Sequence, residues 1–261
     1  MATLVTFHAH PDDESIATGG TMAKAAAAGH RVVLVLATKG EHGEVADGFL
    51  DPGEEIWERR VAETHRAADL LGVQRVAFLG YVDSGMMGRP TNDAPGSFWE
   101  ADTGEAAARL ATILDEEGAD VLTIYDDMGT YGHPDHIQVH RVGVLAAERA
   151  GTPRVYEATA NRDDVRRALL EAREGGLEMP GGLDPDNLES FGQPEALITT
   201  AVDVSGFIDA KRAAMAAHAS QIDETSFFLA MPPDAFARAF GTEWYIRRGV
   251  AAGTRETDLF G

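Results

Sequence analysis

The sequence predicts an α/β protein, a mainly parallel sheet with helices on both faces, folded as one domain over residues 1–261. Two observations carry this expectation. Short apolar runs alternate with longer amphipathic ones, the pattern of strands joined by crossover helices. The breakers Gly, Pro and acids gather between the runs rather than inside them.

In chain order, the first strand is expected at 4–7 (LVTF), followed by a helix at 15–28 whose alanine-rich end suits close packing. A second strand, 31–37, is followed by a long connection and then a helix at 55–71, where apolar residues recur at spacings of three and four. Strands at 75–79 and 120–125 bracket a helix at 106–117. A helix at 135–150, strands at 154–158 and 197–202, and a helix at 206–220 complete the reading. The connections 38–54, 80–104 and 175–196 are too long for simple turns, and loops of that length are usually functional. In open parallel sheets ligands bind beyond the carboxyl ends of the strands.

Composition narrows the chemistry. No run reaches the roughly 18 consecutive apolar residues of a membrane span. The first apolar run begins at Leu4 without a basic region or cleavage site, which leads us to expect a cytoplasmic protein. There is no cysteine, so disulfides, thiolate ligands and thiol nucleophiles are excluded and His with carboxylate remain. A net charge of −21 disfavours nucleic acid and anionic lipid as partners. No GxGxxG follows the first strand, which removes a dinucleotide site. A small-molecule substrate is expected, and the oligomeric state is left open, a homo-oligomer included.

Two strand ends carry the reactive residues. The first strand runs into His8-Ala9-His10-Pro11-Asp12-Asp13-Glu14, and the fourth into Asp126-Asp127, then Tyr131-Gly132-His133-Pro134-Asp135-His136. Pro and Asp suit a helix start, but helix capping does not call for the histidines. His10 and Asp13 are three apart across a helix start and can converge on one side. With His136 from the second cluster they make a three-donor site with an open position, the catalytic form of a zinc centre. Two His and one carboxylate also describe a non-haem Fe2+ site, so zinc is the first candidate and Fe2+ or another divalent ion the alternative. Zinc activates water near neutral pH, which points to hydrolysis, and Asp12, beside a ligand, is the expected general base. His8 is expected behind the site rather than in it.

These clusters, with Thr38-Lys39-Gly40-Glu41-His42-Gly43-Glu44, Arg60-Val61-Ala62-Glu63 and Tyr81-Val82-Asp83-Ser84-Gly85-Met86, resemble the LmbE-like, or PIG-L, family of metal-dependent N-acetylglucosaminyl deacetylases. The likeness is nearest to its mycothiol-pathway deacetylases and conjugate amidases. It implies a Rossmann-like fold, His10, Asp13 and His136 as metal ligands, and Asp12 as base. It further implies that His133 acts as an imidazolium oriented by Asp135, that Tyr131 donates to the scissile carbonyl, and that Arg60, Asp83 and His218 contact substrate. The 175–196 stretch lies where such enzymes differ in what covers the pocket. The resemblance implies removal of an N-acetyl group from a glucosamine-containing small molecule. The competing readings are an amidase acting on a larger amide such as a mycothiol conjugate, and a non-catalytic sugar- or metal-binding module.

Overall fold

The sheet has seven strands in the order β3-β2-β1-β4-β5-β7-β6. Strands β1 (Thr3–His8), β2 (Arg31–Leu36), β3 (Arg75–Phe78), β4 (Val121–Tyr125) and β5 (Arg154–Thr159) run parallel. Strand β7 (Thr242–Arg247) is antiparallel to both β5 and β6 (Thr200–Asp203). The computed structural model describes residues 1–174, 184–251 and 253–261. Of the expected 175–196 connection, residues 175–183 therefore lie outside the described residues.

The central strands are apolar on both sides because helices cover both faces. Val5, Phe7, Val33, Val35, Leu122 and Ile124 pack under α4 (Thr103–Glu117) and α6 (Pro134–Ala150). The alternate residues Leu4, Val32, Val121 and Tyr156 pack on the opposite side with α2 (Gly19–Ala27), α3 (Ile56–Leu70) and α8 (Ile208–Ala217). None of the described helices is long and apolar enough to cross a membrane.

Several elements differ from the sequence reading. The helix expected at 15–28 is two, α1 (Asp13–Ala17) and α2, broken at Thr18, whose hydroxyl reaches His8 Nε2 at 2.9 Å. The second begins against Glu243 of β7, which accepts from the amides of Gly20 and Thr21. A Cβ on Gly20 would stand 2.5 Å from that of Val204, so glycine there permits the close approach. Helices α5 (Gly129–Gly132), α7 (Arg162–Glu174), α9 (Phe227–Ala230) and α10 (Pro233–Phe240) and strand β7 were not expected.

Strand β1 pairs with β2 on one side and β4 on the other, so the strand order reverses between β1 and β4. The crevice at such a reversal is where open α/β sheets hold ligands. Both His-Pro-Asp clusters emerge there.

Candidate active site

Strand β1 delivers His10, Asp12 and Asp13, and α6 begins with His133 as its N-cap, followed by Asp135 and His136. The chain crosses from β4 to α6 through a loop tied by Asp126, whose Oδ1 accepts from the amides of Met128 and Thr130. Gly129 in that loop has φ 63°, and a Cβ there would lie 2.6 Å from the Cβ of His136. The ring centroids of His10, His133 and His136 form a triangle with sides of 4.7, 5.5 and 5.2 Å.

Asp13 Oδ2 lies 3.3 Å from His10 Nδ1 and 3.3 Å from His136 Nε2. Donors bonded tetrahedrally at about 2.0–2.1 Å stand about 3.4 Å apart, and these two separations are close to that value. The backbone N–H of His10 also donates to Asp13 Oδ2 at 2.9 Å and fixes it. Among the described residues, one ring nitrogen each of His10, His133 and His136 lie within 4.8 Å of one another, as do donor atoms of His10, Asp83 and Asp135, so His133, Asp83 and Asp135 are also placed where they could serve an ion.

Buried groups of opposite charge gather at this point. Burial opposes the charged form of His10, but Asp83, Asp13 and Asp135 around it push its ring well above the ordinary imidazole value. Burial would raise Asp13, but His136 and His10 hold it well below the usual carboxylate range.

Asp12 sits beside this cluster. Burial pushes its carboxyl up to about 6, with neighbouring Asp13 adding to the rise and Arg60 opposing it. A carboxyl poised there can accept a proton near neutral pH.

Several expected roles take a different geometry. The carboxylate of Asp135 does not reach His133; Oδ2 bonds His10 Nε2 at 3.0 Å and accepts from the Ser84 amide at 2.9 Å. It is the backbone N–H of Asp135 that donates to His133 Nδ1, at 3.2 Å. Burial, with His10 and His136 nearby, lowers His133 to about 4, so the ring is neutral with its proton on Nε2 rather than an imidazolium. Asp83, 6% exposed, turns to His10 Nε2 at 3.4 Å instead of to an open cleft.

Arg60 is 4% exposed and engaged by the carbonyls of Gly40 and Pro11 at 2.9 and 2.6 Å, with Asp12 Oδ2 at 3.4 Å. His218 is wholly buried, 2.6 Å from Glu14 Oε1. Both brace the site from behind, so the direct substrate contacts expected of them have no opening in this arrangement. Tyr131 is half exposed at the rim, its hydroxyl 3.5 Å from His136 Nε2.

Sequence reasoning passed over Tyr125, Ser84, Asp126 and Glu14. Tyr125 stacks on His136 with centroids 4.3 Å apart, and its hydroxyl is 2.8 Å from His8 Nδ1. The apolar run ending in Tyr125 signalled only a strand. Asp126 and Glu14 stood inside the two motifs, but spacing alone assigns them no partner.

A sheet reversing at β1 and β4, with an imidazole–carboxylate cluster that could hold a metal ion and a raised carboxyl at that point, is an arrangement suited to an α/β hydrolase. Residues 5–147 match the family model described as PIG-L, GlcNAc-PI de-N-acetylase. The chain belongs to this family. A relative from Acidothermus cellulolyticus, named 1D-myo-inositol 2-acetamido-2-deoxy-alpha-D-glucopyranoside deacetylase, is 43% identical over 277 residues, covering 100% of this chain and 94% of its own length. One of the same name from Thermomonospora curvata is 40% identical over 280 residues, covering 97% of this chain and 94% of its own. The crystal structure of a deacetylase in the biosynthesis pathway of teicoplanin shares the fold, with a TM-score of 0.62 at 19% identity, covering 96% of this chain and 100% of that one.

Proposed function

We propose that this protein is a metal-dependent N-deacetylase that hydrolyses the acetamide of a glucosamine carried on a small polyol, with zinc as the metal. The observation that carries the reading is the pair of 3.3 Å separations from Asp13 Oδ2 to His10 Nδ1 and His136 Nε2. When bound by His10, Asp13 and His136, a divalent ion would polarise the amide and make water acidic enough to attack near neutral pH.

The chain's own residues supply the rest. Asp12 takes the proton of the attacking water and returns it to the departing amine, a double duty that its raised carboxyl suits. Neutral His133 donates from Nε2 to the oxygen that becomes an oxyanion, and the Tyr131 hydroxyl is a second donor. One such donor in a closed site is worth roughly 3–4 kcal/mol. Asp135 and Asp83 hold the far nitrogen of His10, which keeps Nδ1 aimed at Asp13. The Gly192 amide donates to the Thr130 carbonyl beside Tyr131, and Gln193 Nε2 donates to Asp127 Oδ1, which ties this part of the chain to the turn that carries Tyr131.

The substrate class follows from the full-length relatives named for a deacetylated inositol glycoside. The test is to present that glycoside, N-acetylglucosamine, an N,N'-diacetylated disaccharide and a larger amide conjugate, reading free amine and acetate. The proposal expects the inositol glycoside to turn over fastest with equal acetate and amine. Faster release of a larger acyl group would replace it with an amidase.

A further inference from the structure

Only two non-glycine residues among the described residues have φ in the left-handed range, Asp12 at 101° and Thr130 at 66°. Asp12, with ψ −36°, lies outside even the small left-handed well that Asp tolerates. A backbone held so far from its minima persists only where its surroundings over-determine it. The peptide before Asp12 is held by Arg60, through the Pro11 carbonyl at 2.6 Å. The Asp12 amide is held by Glu14, whose Oε2 accepts it at 3.0 Å.

Glu14 is a fully buried acid whose other oxygen is also engaged. Oε1 accepts from the Ser15 hydroxyl at 2.8 Å and lies 2.6 Å from His218 Nε2. His218 comes from the end of α8, and the chain after it is fixed in turn: Ser220 donates through its amide and hydroxyl to Glu63 at 3.0 and 2.6 Å. A carboxylate so anchored leaves its Oε2 with one placement.

We propose that Glu14, locked by His218 and Ser15, is a positioning residue that holds Asp12 in its strained conformation and so fixes where the Asp12 carboxylate stands. This inference rests on the reading of Asp12 as the base. A volume-matched residue without an acceptor frees the Asp12 amide, and the peptide relaxes. A reacting group displaced by about 1 Å loses roughly a hundredfold in rate.

The test is a double-mutant cycle on the metal-loaded protein with the inositol glycoside as substrate. Glu14→Met is expected to lower kcat about 100-fold with KM and metal content unchanged. Glu14→Gln should restore kcat to within about 5-fold of the parent, because its amide oxygen still accepts the Asp12 N–H while its NH2 donates to His218 Nε2 with the ring neutral and its proton on Nδ1. In an Asp12→Ala background Glu14→Met should cost nothing further, since coupled residues are not additive. The inference is overturned if Glu14→Met turns over at the parental rate, if its loss repeats in full without Asp12, or if Glu14→Gln falls as far. Should Glu14→Met fail to fold, a folded and metal-loaded Glu14→Gln decides: a kcat loss beyond about 10-fold overturns the proposal. Asp12→Ala acting at the parental rate would instead refute the base assignment itself.

Discussion

Replacing Asp135 separates the two tasks its side chain performs. Its Oδ2 meets both His10 Nε2 and the Ser84 amide, while Oδ1 is buried without a partner among the described residues. Asparagine can therefore place its oxygen where Oδ2 was and its NH2 where Oδ1 was, keeping both contacts and losing only the charge. Alanine removes the acceptor as well, leaving the buried Ser84 N–H unpaired and the His10 Nε2 with only Asp83 at 3.4 Å. Groups that support metal-bound histidines contribute 10–100-fold to metal affinity. We expect Asp135→Asn near the lower end, about 10-fold or 1.4 kcal/mol, and Asp135→Ala near about 100-fold or 2.7 kcal/mol. The assay is competition for Zn2+ against a chromophoric chelator, with the rate of acetate release measured at saturating metal. An Asp135→Ala protein that binds zinc within about 2-fold of the parent would refute the assignment of Asp135 to His10.

Three further outcomes are expected. The pair Lys211–Glu243, 2.6 Å apart with both side chains at most 2% exposed, makes Lys211→Met cost about 3 kcal/mol by urea unfolding, and Lys211→Met/Glu243→Gln should recover part of it. Gly129→Ala forces a side chain onto a residue with φ 63° and against His136, so about 1–2 kcal/mol of stability is lost and chelator competition shows weaker metal binding. Glu117, bonded first by Arg31 and then by Arg75, is held below its ordinary range against a smaller effect of burial. Its contribution is therefore complete above an unfolded carboxyl value of about 4.3 and disappears as pH falls through the lower folded value. With both arginines over a third exposed, it amounts to less than about 1 kcal/mol, and Glu117→Gln should flatten urea stability against pH only below about pH 4.3.

The five parallel strands were legible because burial on both faces leaves continuous apolar runs such as RVVLVL. Strand β7, TEWYIR, was not, because its inward Glu243 serves a buried polar network and breaks the apolar pattern. Helix α7 escaped because it buries only Leu169 and is otherwise rich in charge. In the site, His10, Asp13 and His136 were legible because adjacent parallel strands bring their carboxyl ends together. The direction of the Asp135 carboxylate was not, since its partner stands 125 residues away across the β1–β4 crevice. Arg60 and His218 read as polar residues near a site, and spacing does not reveal that both are buried and turned toward the backbone or Glu14.

In the proposed reaction, a metal held by His10, Asp13 and His136 and a base at Asp12 together cleave an acetamide. Its most direct test is acetate release from the inositol glycoside by protein stripped of metal and reloaded with Zn2+ or Fe2+, beside an Asp12→Ala protein treated alike. Stripping should abolish release, reloading should restore it, and the Asp12→Ala protein should take up the same metal but turn over about 100-fold or more slowly. Undiminished release from the stripped protein, or parental turnover by Asp12→Ala, would contradict this mechanism.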